Sequence, residues 1–186
     1  MYISKSLKRY SDDLAGRLPA PGGGSAAALS ACLGVSLISM VVNFTIGKPK
    51  YARYQKYLKA TLGQSEKLRK RLLGLVDADV AAYKSKDLKR SLGVPLEAAR
   101  LCFDAAKLCP GLIEKGNRNL ISDVAVAAQL LESAFAAARA NVDINLKFLG
   151  DKKLTNALGK ELSAKGRMTR KIRAVTEERV NEIIRG

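Results

Sequence analysis

Apolar positions in this chain recur every three to four residues, the spacing of one helix face, and strand-like alternation bounded by turn residues is missing. Ser4 to Arg17 reads as a short amphipathic helix, stopped at Leu18-Pro19-Ala20-Pro21, where two prolines force extended backbone. Gly22-Gly23-Gly24-Ser25 then opens an apolar helix running to about Ile46. Gly47-Lys48-Pro49 breaks the chain, and a long helix from about Lys50 to Lys84 carries its apolar stripe through Leu58, Leu62, Leu68, Leu72, Leu75 and Val76. After a short loop from Lys84 to Lys89, Pro95 suits the first turn of a helix over Leu96 to Leu108. Pro110 and Gly116-Asn117-Arg118-Asn119 bound a brief piece after it. Ser122 or Asn119 is placed to cap a helix reaching Leu149, which Gly150-Asp151 ends. A final helix, Leu154 to Ile184, is charged on most faces and packs outside.

This pattern predicts an all-α fold: residues 1–186 form a single-domain antiparallel bundle of about six helices. The two helices that are apolar almost all round, residues 22–46 and 120–149, need more covering than a small monomer provides. Their Ala, Gly and Ser content permits close approach, so they are expected to form the interface of a homodimer. Ala20 to Gly47 contains no charged residue and is long enough to span a bilayer. It also holds Gly34, Ser36, Ser39 and Asn43, and no second span resembles it, so a buried central helix is the expectation and a membrane location is not.

Composition adds two constraints. With 186 residues and 47% hydrophobic content, the chain can bury one sizeable core. Histidine is absent, Cys32, Cys102 and Cys109 lie in apolar stretches, and no CxxC pair occurs. The usual zinc ligand sets cannot be assembled, and no metal or bound cofactor is expected. A reduced, cytoplasmic home is the simplest reading of three unpaired thiols, and the N-terminus carries no signal-peptide core.

Charge changes the picture most. Lys and Arg number 33 against 17 Asp and Glu, a net +16. Nine of the basic residues crowd between Lys48 and Gly74 against Glu66 alone. Such a field attracts polyanions, whether nucleic acid, an acidic surface or a substrate with several carboxylates. It also suits a plain solvated face. Tyr51, Tyr54 and Tyr57 interleave the cations at three-residue spacing, which fits base stacking but fits helix packing better.

Against this background the run Pro19-Ala20-Pro21-Gly22-Gly23-Gly24-Ser25 resembles the opening of the formiminotetrahydrofolate cyclodeaminases and the related methenyltetrahydrofolate cyclohydrolases. Met40-Val41 with Asn43-Phe44-Thr45, then Asp79 with Ala82-Tyr83, Val94-Pro95, Gly116-Asn117 through Ser122-Asp123, and Asn141-Val142-Asp143-Ile144-Asn145-Leu146 agree in order. The resemblance implies an enzyme acting on the one-carbon unit of a tetrahydrofolate derivative, by ammonia loss or by hydrolysis. Between Asp79-Tyr83 and Val94-Pro95 the family carries a longer stretch than Lys84 to Gly93. A catalytically impaired relative and a basic helical nucleic-acid-binding protein are therefore the alternatives.

Each candidate residue has two readings. The triple glycine offers free backbone N–H groups at a helix start, a place for a carboxylate or phosphate, or simply a tight turn and cap. By resemblance Gly22, Gly23, Gly24 and Ser25 hold the folate's polar end. Asp79 is a surface carboxylate among cations or an electrostatic partner at the reacting centre. Asp123 is a helix-start carboxylate or, by resemblance, the proton-transfer group. Asn141 and Asn145 share one helix face and serve as an inter-helix clamp or, together with Asn117, as hydrogen-bonding groups for substrate. The polyglutamate tail of cellular folates would suit lysines of the basic stretch.

Overall fold

The computed structural model describes Met1–Gly186 throughout and contains seven α-helices with three single 3₁₀ turns. They are α1 Leu7–Ala15, α2 Gly23–Asn43, α3 Gln55–Ser85, α4 Leu88–Ala106, α5 Cys109–Lys115, α6 Ile121–Leu149 and α7 Lys152–Arg185. The seventh helix beyond the expected six is the brief α5.

Helix α2 is the centre of the bundle, held between α3 and α6. Its alanines permit this: Ala27, Ala28 and Ala31 are buried, and at Gly34 a methyl group would come 3.0 Å from Leu131 Cγ and 3.2 Å from the Ala127 carbonyl. Helices α2 and α6 therefore run antiparallel in close contact, with Gly23 beside Asn141 and Gly34 beside Leu131. The polar atoms of this apolar helix are satisfied internally. Ser39 and Ser65 hydroxyls meet at 2.8 Å between α2 and α3, and Thr45 Oγ1 accepts the Asn117 N–H at 2.9 Å. Helices α2 and α6 are each long and apolar enough to cross a membrane, yet α2 is a packed core helix.

The boundaries differ from the sequence expectation in instructive places. Helix α4 starts at Leu88, well before Pro95, because the Asp87 side chain accepts the N–H groups of Lys89 (2.9 Å) and Arg90 (3.2 Å). That cap nucleates a helix which then runs through Gly93 and Pro95, two residues that read as breakers. The loop between α3 and α4 shrinks to Lys86, in left-handed conformation, and Asp87. Neither Ser122 nor Asn119 caps α6. Leu120 precedes it without a side-chain cap, and Asn117 instead closes the 3₁₀ turn by accepting the Asn119 N–H. The segment Pro49–Tyr54 is a 3₁₀ turn, so α3 begins later than expected.

One surface is left uncovered. Along α6, Val126, Leu130, Ser133, Ala137, Asn141, Ile144 and Phe148 follow one another at spacings of three and four, without a charged side chain among them. Ile144 is 44% and Phe148 66% exposed. Leu33 on α2 and Phe44 just after its end are also open, at 51% and 57%. Isolated exposed hydrophobics are ordinary, whereas a long uncharged stripe along one helix is the kind of surface that interactions use.

Candidate functional site

Where α2 begins, the chain brings together groups from three helices. The Ala20–Pro21 peptide is cis, and Gly22, in extended conformation, starts α2 with no side chain to satisfy its first N–H groups. Asp79, from the last third of α3, fills that role. Its Oδ2 accepts the Ser25 N–H at 2.9 Å, and its Oδ1 lies so close to the Gly24 Cα that a methyl group there would be 2.1 Å away. The anion expected at this helix start is thus the chain's own carboxylate. Gly22, Gly23 and Gly24 still line the cavity beside it.

Two effects set the acidity of Asp79. Burial pushes its carboxyl above the ordinary aspartate range, and the Ser25 N–H opposes this without cancelling it. A carboxylate of raised basicity at the rim of a cavity is equipped to take up and return a proton. Ser25 holds it there. The Ser25 hydroxyl donates to the Val76 carbonyl at 3.0 Å, so in its 3.1 Å contact with Tyr10 it is the acceptor and the tyrosine donates. With both partners buried, the Ser25 side chain is consumed by the scaffold rather than offered to substrate. Tyr10 was missed in the sequence because α1 is short and mostly charged. The only available signal was an aromatic residue on its apolar side.

The opposite wall comes from α6. Asn141 and Asn145, together with Ile144, face Gly22, Gly23, Gly24 and Asp79 across a cavity of about 230 Å³, closed at its other edges by Pro19, Ala20, Ala82, Tyr83 and Ser91. Six of the nine sequence-derived residues therefore line the cavity. Ser25 is held behind its wall, and Asn117 and Asp123 lie away from it. Asn117 is buried in the turn before α6, where its side chain and N–H are already bonded. Asp123 lies at the start of α6, eighteen residues from Asn141, or about 27 Å along the helix. Within one chain Asp123 cannot exchange a proton with anything in this cavity.

The basic stretch lies elsewhere too. Lys70 precedes Asp79 by nine residues, about two and a half helical turns, and so points from the opposite side of α3. No residue of that stretch lines the pocket. The tyrosines are packed away: the Tyr51 hydroxyl accepts the Arg118 N–H at 3.1 Å, Arg53 covers the Tyr54 ring, and Lys115 covers Tyr57. No stacking platform remains among them.

Gly24 gives a direct test of the pocket's geometry. In Gly24→Ala the methyl group displaces Asp79 from the Ser25 N–H, and because the clash is with a side chain the helix itself survives. The expected outcome is a melting temperature close to that of the parent with turnover reduced about tenfold to a hundredfold, the usual penalty for misplacing a reacting group by about an ångström. Assays alongside thermal melts would show it.

Comparison with known proteins adds the following. The profile of the family described as formiminotransferase-cyclodeaminase matches residues 6–86 and 85–164. The methenyltetrahydrofolate cyclohydrolase of Methylorubrum extorquens is 34% identical, over 96% of this chain and 99% of its own. The formimidoyltransferase-cyclodeaminase of Rattus norvegicus is 29% identical over 80% of this chain, which spans 32% of that longer protein. The crystal structure of formiminotetrahydrofolate cyclodeaminase from Thermotoga maritima superposes with a TM-score of 0.83 at 28% identity, covering 100% of this chain and 98% of that one.

Proposed function

The chain belongs to the formiminotransferase-cyclodeaminase family, and from that premise we propose that its pocket at the start of α2 works on the carbon bridging N5 and N10 of tetrahydrofolate, as a methenyltetrahydrofolate cyclohydrolase. The hydrolytic reaction is favoured over ammonia loss because the full-length relative bearing that name is 34% identical, against 28% for the full-length cyclodeaminase of Thermotoga maritima. The observation that carries the reading is the partly buried Asp79 carboxylate at the cavity wall.

The chemistry follows from that group. The methenyl carbon sits between two nitrogens in an amidinium-like cation, which a carboxylate stabilises. Water adds to this carbon as its proton passes to Asp79. The tetrahedral intermediate then opens by cleavage of the bond to N5: Asp79 returns its proton to that nitrogen, the hydroxyl releases its own proton to solvent as the carbonyl forms, and 10-formyltetrahydrofolate is left. Ammonia loss from a 5-formimino substrate needs the same group: N10 attacks, its proton goes to Asp79, and the departing amine receives it. Asp79 thus takes the proton-transfer role first assigned to Asp123.

A cavity of about 230 Å³ is smaller than the roughly 300–1,000 Å³ usual for small-molecule sites. Pairing of two copies through the uncharged stripe of α6 would enlarge it, because the stripe passes Asn141 and Ile144, which line the pocket. A twofold axis across the stripe sets the two α6 helices antiparallel and carries the Asp123 end of one copy towards the pocket of the other. A homodimer is accordingly part of the proposal, with Asp123 acting from the partner. The tail of a polyglutamylated folate would meet Lys84, Lys86, Lys89 and Arg90, which crowd the turn beside Tyr83 and Ser91 and form no ion pairs. The setting is a reducing compartment such as the cytoplasm. Cys102 and Cys109 are buried and unpaired, their thiols pushed up to about 12 by burial.

The decisive assay follows the methenyl absorbance. With 5,10-methenyltetrahydrofolate the protein should accelerate its loss above the buffer rate; with 5-formiminotetrahydrofolate any gain should be slower. Absence of both changes at micromolar enzyme would mark an impaired relative and reject the proposal.

A further inference from the structure

We propose that Pro95 is a positioning residue of the pocket. By removing one N–H from α4 it hands the Ser91 carbonyl to Asn145, fixing the Asn145 side-chain oxygen as an acceptor for an N–H of the reduced pterin. The inference rests on the folate reading above and extends it to how the ring is oriented.

Pro95 lies well inside α4 and is buried there. An interior proline is costly because it has no N–H for the carbonyl four residues earlier, here that of Ser91. That carbonyl is not left bare. Asn145 Nδ2 donates to it across the helices at 3.0 Å, and donates again to the Asn141 carbonyl at 2.8 Å. Both hydrogens of the amide are used.

This removes the usual ambiguity of an asparagine side chain. Exchanging its nitrogen and oxygen would set Oδ1 against two carbonyl oxygens, so only one orientation is tenable. No protein group donates to Oδ1, and Asn145 lines the cavity opposite Asp79. The pocket therefore holds an atom that can only accept. A carboxylate or phosphate offers it nothing, whereas the reduced pterin presents ring N–H groups and an amino group along one edge. The same atom selects for the pterin end of a folate and against its glutamate end, in keeping with the helix start being occupied by Asp79.

Pro95→Ala restores the missing N–H, so Ser91 regains a partner within its own helix and Asn145 is released. The full-length variant should melt no lower than the parent and a few degrees higher if the helix straightens. Its KM for 5,10-methenyltetrahydrofolate should rise about tenfold, the worth of one well-placed hydrogen bond, with kcat falling less. A residue that merely supported the fold would lose stability and activity together. Asn145→Ala should destabilise the parent but cost little in the Pro95→Ala background, and this coupling is read from melts without any substrate. An unchanged KM in Pro95→Ala, beside a parent that turns the folate over, overturns the inference, as does additivity of the two substitutions in the melts. Failure of the parent itself to bind either folate would instead strike the reading on which it rests.

Discussion

Asp79→Asn is expected to lower turnover by about a hundredfold to ten-thousandfold, the range for removing a group that both accepts and returns a proton. The fold should not suffer. Asparagine keeps an oxygen for the Ser25 N–H and, being uncharged, escapes the burial that raises the carboxyl's pKa. The pH dependence has a definite sign. Below the ordinary carboxylate range Asp79 is protonated in folded and unfolded chains alike and costs nothing. As pH rises, the unfolded chain ionises first, so the parent loses stability until the raised folded pKa is passed, after which the penalty is constant. Asp79→Asn lacks this loss. Melts from pH 3 to pH 8 should show the variant matching the parent in acid and equalling or exceeding it at neutral pH. A variant that keeps most of its activity would take Asp79 out of the reaction.

Mixing two inactive variants should restore activity if the site is built across the twofold. Asp79→Asn and Asp123→Asn are each expected to be nearly dead alone. Co-expressed, half the dimers would be mixed. In each mixed dimer one pocket has both substitutions and the other has neither, provided Asp123 comes from the partner. The expected result is about a quarter of parental activity in the mixture. If Asp123 served its own chain, every pocket would carry one substitution and the mixture would stay at the level of its parents. Full activity of Asp123→Asn by itself would remove that residue from the mechanism. The stripe supports the first outcome. It runs along α6 from Val126, one turn after Asp123, past the pocket-lining Asn141 and Ile144, so antiparallel pairing brings opposite ends together.

The parts of the site legible in the sequence were those where residue type and function coincide. Gly24 is the clearest case. A triple glycine at a helix start announces close backbone approach, although not to what, and the approaching group proved to be a carboxylate fifty-five residues later. Asn141 and Asn145 were placed on one face by their spacing, and the clamp expected of Asn145 is present, joining α6 to α4 at the wall of the cavity. Tyr10 and the hydroxyl of Ser25 were misjudged because their partners are remote in sequence. Pro95 was read as a helix start when it is an interior interruption, since the cap at Asp87 and the donor on α6 that make it tolerable are invisible from its neighbours.

What the linear order of residues determined was helix content, the apolar character of α2 and α6, and the ends of most helices. These depend on periodicity, on proline and glycine, and on capping within a few residues, all local quantities. The tertiary structure decided which functional groups meet. It set Asp79 against Gly24, turned Lys70 away from the pocket, and put Asp123, within one chain, a helix length from the pocket that holds Asp79, its expected electrostatic partner. Those outcomes depend on how far apart rigid helices place their side chains and which way each face turns after packing. No local pattern encodes such a distance, because it arises only when small residues such as Gly34 let one helix settle against another.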